Sequence, residues 1–179
     1  MASSPTSEAP SPDELASLRV AVRGDGAKPG LAAILPKLQE GHRRELRREP
    51  HWSKEELVRH PEPRELIRSM RKPGNLDQQG RPVYTLDERR SLTADIYENR
   101  VVKQTVENVQ RRIDDLANDD DANVRGEAQA LSRVLEGARR QASFLDEVGF
   151  VGRADMPTAT LTQDPLYRRM MAIRAEVAE

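Results

Sequence analysis

The sequence predicts a mainly α fold, an antiparallel long helical hairpin of coiled-coil type standing on a base of short helices. Two apolar stripes and the polar link between them carry that reading. Val102, Val106, Val109, Ile113 and Leu116 recur at spacings of four, three, four and three, and Val124, Ala128, Leu131, Leu135, Ala138, Ala142 and Leu145 repeat the pattern. Apolar residues three and four apart share one helix face, because a turn takes about 3.6 residues. Between the stripes, Asn118-Asp119-Asp120-Asp121-Ala122-Asn123 is a run of turn formers with nothing to bury. Stripes joined by a short link zip against each other. The hairpin is expected over 93–149, and some 25 residues per arm at 1.5 Å each give a length of about 35–40 Å.

Composition suits such a seam. Hydrophobic residues make up 36% of the 179 and charged ones 33%, so a narrow buried stripe fits better than a deep core. Aromatics at 3% remove the usual fillers of small β-folds. A formal net charge of -1 gives no overall pull toward nucleic acid or an anionic membrane. The absence of cysteine excludes disulfides and thiolate metal sites. No apolar run approaches the roughly 18 residues of a membrane span, and the N-terminus lacks a hydrophobic signal core. A soluble cytoplasmic protein is the expectation.

In chain order, residues 1–10 are rich in Ser, Pro and Ala and read as a disordered tail. Residues 11–92 read as a small helical base with basic helices and loops. Ser11-Pro12-Asp13-Glu14 opens a short helix, Ser as cap and Pro in the first turn. Leu18 to Val22 alternates, so at most a minor strand is expected there before Arg23-Gly24-Asp25-Gly26 breaks the chain. Gly30 to Arg48 carries Leu31, Ile34, Leu35 and Leu38 on one side, with Pro36 expected to break or kink it. Ser53-Lys54-Glu55-Glu56 has the form of a capping box after Trp52. Pro63 opens a helix with Leu66, Ile67 and Met70, 73–82 is a loop, and Val83 to Leu92 an irregular approach to the hairpin. Gly149 and Gly152 bracket the expected end of the second arm. Residues 150–179 are a connector and a C-terminal helix holding Tyr167, Met170, Met171, Ile173 and Val177.

The sequence carries no recognisable catalytic pattern. None of Lys28, Lys37, Lys54, Lys72 and Lys103 is preceded two positions earlier by Asp or Glu, so the Asp/Glu-x-Lys element of a PD-(D/E)XK nuclease is absent. His42, His51 and His60 lie nine residues apart with no carboxylate-rich ligand set, so no metal site is expected. Residues 23–30 lack the spacing of a phosphate loop, and no nucleophile elbow occurs. The expectation is a non-enzyme without cofactors.

Two charged regions suggest contacts instead. Arg43, Arg44, Arg47, Arg48, Arg59, Arg64, Arg68 and Arg71 alternate with glutamates; pairing along helices is one reading, a DNA-contacting face the other. The triple aspartate Asp119, Asp120, Asp121 reads as a solvated turn, or as an acidic tip suited to a basic groove on a partner.

The first long helix opens Asp95-Ile96-Tyr97-Glu98-Asn99-Arg100-Val101-Val102-Lys103. This resembles the D-T-x-E-N-R-F-V-K signature of a bacterial family of McrC-like restriction components. In that family a helical N-terminal region precedes a PD-(D/E)XK nuclease domain. Asp95, Glu98, Asn99, Arg100, Val102 and Lys103 match, while Ile96 replaces Thr and Val101 replaces Phe. Phe144-Leu145-Asp146-Glu147-Val148 and Asp164-Pro165-Leu166-Tyr167-Arg168 follow in the same order as in the family. The chain stops where the family's catalytic domain begins, which implies a nuclease-less relative, one half of a split gene, or a piece cut at a domain boundary. The resemblance implies a non-catalytic subunit or fragment of a McrBC-like restriction or phage-defence system. Its partners would be an AAA+ NTPase, a nuclease module and DNA. The signature residues would form a buried polar node tying the hairpin base to the basic helices before it. Two other readings stay open, a stand-alone DNA-binding module using 43–71 and a dimerising helical scaffold, with no membrane partner in any of them.

Overall fold

The computed structural model describes residues 12–58, 62–151 and 156–178. The chain divides into two units, a helical one built from residues up to Arg44 and from Ala94 onward, and a second one spanning Glu45–Thr93. The expected tail over residues 1–10 lies outside the described residues.

The helical unit begins with α1 (Pro12–Arg23) and α2 (Leu31–Gly41). The expected strand at Leu18–Val22 is part of α1. Leu18, Ala21 and Val22 are buried at positions i, i+3 and i+4, so five alternating residues serve a helix face as well as a strand, and α1 has neighbours to receive that face. Gly24 (φ 88°) ends the helix, its N–H donating to Val20 O at 2.8 Å. The stretch 24–30 closes as a tight turn on the side chain of Asp25, whose Oδ1 accepts from Ala27 N and Lys28 N. Gly30 must lack a side chain, since a Cβ there would lie 2.4 Å from Gly24 N. Helix α2 continues past Pro36, because Leu31, Ile34, Leu35 and Leu38 are all buried on its inner side. It ends at Gly41, well short of the expected Arg48.

Two long helices follow in this unit, α4 (Tyr97–Leu116) and α5 (Ala122–Gln141), joined by 117–121. Val101, Val102, Val106, Val109, Ile113 and Leu116 of α4 are buried, as are Ala128, Leu131, Leu135 and Ala138 of α5. Each leucine or isoleucine among them contributes roughly 1.5–3 kcal/mol. The stripe of α5 is shared between α2 and α4 rather than spent on α4 alone. Arg19 of α1 pairs with Glu127 of α5, and Arg112 of α4 with Glu14 of α1 at 2.8 Å. Helix α5 stops at Gln141 and gives way to a 3-10 turn, Ser143–Asp146. The expected arm end at Gly149 is therefore corrected, and Gly149 has no positive φ. Gly152 lies outside the described residues. Helices α6 (Ala159–Gln163) and α7 (Pro165–Ala178) complete the unit, with Leu161, Tyr167, Met170 and Ile173 in the core.

The second unit corrects the expectation of a purely helical base. Glu45–Lys54 is a strand, β1, and Tyr84–Thr93 is its antiparallel partner β2, in register from Glu45 opposite Thr93 to Lys54 opposite Tyr84. The apparent capping box at Ser53 instead leaves β1 into a 3-10 turn, Glu55–Leu57. Between the strands lies α3 (Pro63–Met70), with proline in its first turn as expected. Ser69 ties α3 to β2: its Oγ donates to Glu65 O and accepts from Leu86 N. Asn75 is 3% exposed and pins the loop, donating from Nδ2 to Ser69 O and Tyr84 O and accepting from Tyr84 N at Oδ1. Among the described residues, no helix is long and apolar enough to cross a membrane.

Candidate functional site

The start of α4 is where polar side chains are most densely engaged. The backbone turns into the helix through an Ile96 N–H bond to Ala94 O. Ile96 offers no side-chain cap, and the neighbouring Asp95 turns to other partners. Its carboxylate receives the Arg100 guanidinium in a two-pronged grip, Nε to Oδ1 at 2.8 Å and Nη2 to Oδ2 at 2.7 Å. Oδ1 also accepts from Gly149 N at 2.8 Å, which ties the segment after α5 to the foot of α4. The hydrogen bond it donates to Asp95 holds the Arg100 guanidinium above its ordinary range, against a smaller opposing effect of burial. The pair is partly solvated, so its worth is on the order of 1 kcal/mol.

One helical turn along, Asn99 is fully buried and uses both ends of its amide. Nδ2 donates to Arg43 O at 2.9 Å and to Ala94 O at 2.8 Å, and Oδ1 accepts from the Tyr167 hydroxyl at 2.6 Å. The same hydroxyl accepts from Arg43 N at 3.2 Å. Asparagine suits the position because it offers two donors and an acceptor without charge. Burial pushes the Tyr167 phenol up, and the charges of Asp164 and Glu98 push the same way, opposed by the Arg43 N–H. Lys103 reaches Val148 O at 2.6 Å, with its ammonium 5.0 Å from the centre of the Phe150 ring. Glu98 makes no side-chain hydrogen bond among the described residues and acts on the group through its charge alone.

Asp95, Asn99, Arg100 and Lys103 are thus brought together as one joint. It fastens α4 to the chain following α2, to the segment following α5, and to α7. Sequence reasoning expected such a node to grip the basic helices before it. The helices are not its partners: it grips Tyr167 and the backbone of Arg43, Val148 and Gly149. Backbone groups leave no residue-type signal, whereas Tyr167 lies in the Asp164–Arg168 stretch that the resemblance had marked.

The acidic link is put to local use. Asp121 caps α5, accepting from Asn123 N at 2.7 Å, and Asp119 Oδ1 accepts from Asp121 N at 2.8 Å. Arg125 folds back to Asp119 O. Asp120 is exposed and makes no side-chain hydrogen bond among the described residues. The expected arginine face is dispersed. Arg43 and Arg44 follow α2, Arg47 and Arg48 lie on β1, and Arg64, Arg68 and Arg71 lie along and just after α3. All seven are exposed, Arg47 beside Glu49 at 3.6 Å, and Arg59 lies outside the described residues. His42 is not a solvated histidine: its ring stacks on Phe144 at 4.5 Å.

A family model described as Domain of unknown function (DUF2357) matches residues 13–172, most of the chain. No curated protein and no solved structure matches it.

Proposed function

The chain belongs to the DUF2357 family, and from that premise we propose that it is a non-catalytic helical subunit or fragment of a McrBC-like restriction or phage-defence system in the cytoplasm. In this reading α4 and α5 act as an antiparallel hairpin. Its base is fixed and its far end meets an AAA+ NTPase or nuclease partner. The observation that carries the reading is the employment of the signature side chains. Asp95, Asn99, Arg100 and Lys103 spend their polar atoms within the chain, on the foot of α4. Residues so used define a rigid base, and recognition falls to what the helices present elsewhere.

Twenty residues at 1.5 Å each carry α4 about 30 Å from that base to the link at 117–121. This is shorter than the 35–40 Å expected from the apolar pattern. At the link, Asp119 and Asp121 order the turn and Asp120 faces solvent. A turn pre-ordered by its own caps loses little entropy on docking, which favours binding to a basic groove.

The test is co-purification with the products of the genes on either side of this one, with an assay of NTP hydrolysis. Capture that Asp120→Lys weakens, or stimulation that it abolishes, is the expected result. No capture and no stimulation by the unmodified chain would remove the reading. A second reading has one observation in its favour. Arg64, Arg68 and Arg71 are spaced four and three apart and exposed, the arrangement of a phosphate-contacting helix edge. Duplex binding at about 50 mM salt that weakens steeply as salt is raised would favour it over the first.

A further inference from the structure

A second polar site lies apart from the joint. One side of α4 and the last turns of α7 enclose a cleft of roughly 280 Å³, lined by Thr105, Asn108, Arg111, Arg112, Asp115 and Arg174, with Val109 and Val177. Its cations are unevenly compensated. Arg112 is paired with Glu14 at 2.8 Å. Arg111 and Arg174 have no carboxylate partner among the described residues, and Asp115 is the one carboxylate on the wall. Arg174 Nη1 is moreover shut off from solvent without a hydrogen-bond acceptor. A guanidinium donor buried unpaired costs more than one left in water, and a small rotation of the Arg174 head toward an acceptor in the cleft relieves that cost.

We infer that this cleft binds a small phosphate-bearing anion, with Arg111 and Arg174 as its cationic jaws and Asn108 as a neutral hydrogen-bonding group. Guanidinium forks match the spacing of phosphate oxygens and remain charged at any working pH. The volume falls near the lower end for small-molecule pockets, enough for a phosphate with its nearest waters or for a compact nucleoside monophosphate. Asp115 disfavours a highly charged ligand at the near end and leaves a single phosphoryl group the best match.

Isothermal titration of the isolated chain tests it, with inorganic phosphate in one arm and AMP in the other, at low salt. Binding of both with similar affinity identifies an oxyanion site, and tighter binding of AMP identifies a nucleoside phosphate site; either supports the inference. Arg174→Gln is expected to weaken binding at least about tenfold, the worth of one charge-assisted hydrogen bond, and Arg174→Lys less. Arg140→Gln, at an exposed residue of α5 away from the cleft, should leave affinity unchanged. Circular dichroism of each variant checks that the helices persist. Absence of heat with both probes up to about 10 mM, or equal affinity in folded Arg174→Gln, overturns the assignment.

Discussion

Replacing Asn99 with alanine isolates the joint at the foot of α4. The substitution removes two donated bonds, to Arg43 O and Ala94 O, and one accepted from Tyr167. At about 1 kcal/mol net per bond this amounts to roughly 3 kcal/mol. The groups left behind adjust that figure. Ala94 O keeps the Ile96 N–H, and the Tyr167 hydroxyl keeps Arg43 N as a donor to it but loses the acceptor for its own hydrogen. Arg43 O loses its partner, which adds up to about 1 kcal/mol of desolvation not recovered. The expected loss is therefore about 3–4 kcal/mol, a large share of the 5–15 kcal/mol typical of a domain. Urea unfolding followed at 222 nm reads the helices, and the single tryptophan, Trp52 on β1, offers a separate signal from the other unit. Tyr167→Phe should cost about 2 kcal/mol, and the double variant less than the sum, because the pair shares one bond. A folded Asn99→Ala chain within 0.5 kcal/mol of the parent at unchanged slope would refute the view of Asn99 as a keystone of the unit.

The Tyr167 phenol is raised by burial, so its share of stability is complete below the ordinary tyrosine range and is lost as pH climbs through its higher folded value. Absorbance at 295 nm should show a tyrosine step above the ordinary range, together with loss of helix, that Tyr167→Phe removes; a titration unchanged by that substitution would contradict this. Asp121→Ala should cost about 1 kcal/mol through loss of the α5 cap, whereas Asp120→Ala should stay within 0.5 kcal/mol, and thermal melts separate the two. Gly24→Ala places a Cβ 2.4 Å from Lys28 O at φ 88° and should destabilise by roughly 2–4 kcal/mol. Gly26→Ala meets no atom within 4 Å and tests the backbone strain alone, since φ is 84° there too.

The sequence was most legible where burial has a period. The stripes of α4 and α5 located both long helices, although the second arm was drawn too long: Ala142 and Leu145 are buried, but in a turn beyond the helix end. The strands were hidden for the opposite reason. Side chains along β1 stay largely exposed, so no alternation of apolar and polar residues marks it, and Pro50 lies in its middle. Proline is tolerated there because a two-stranded sheet has only edges. Of the joint, the side-chain half could be read from the signature, while its backbone half depends on tertiary placement.

Asn99 also has a consequence for chain topology. Its single Nδ2 holds both Arg43 O and Ala94 O, at 2.9 and 2.8 Å, so those two oxygens lie no more than about 6 Å apart. The unit Glu45–Thr93 therefore leaves and re-enters the helical unit through a narrow neck. Such a neck is a natural splice point, since closing it with two or three glycines demands no long reach and little loop entropy. A chain carrying that short bridge in place of 45–93 should keep its helices, and another small fold whose ends meet should be acceptable at the same place.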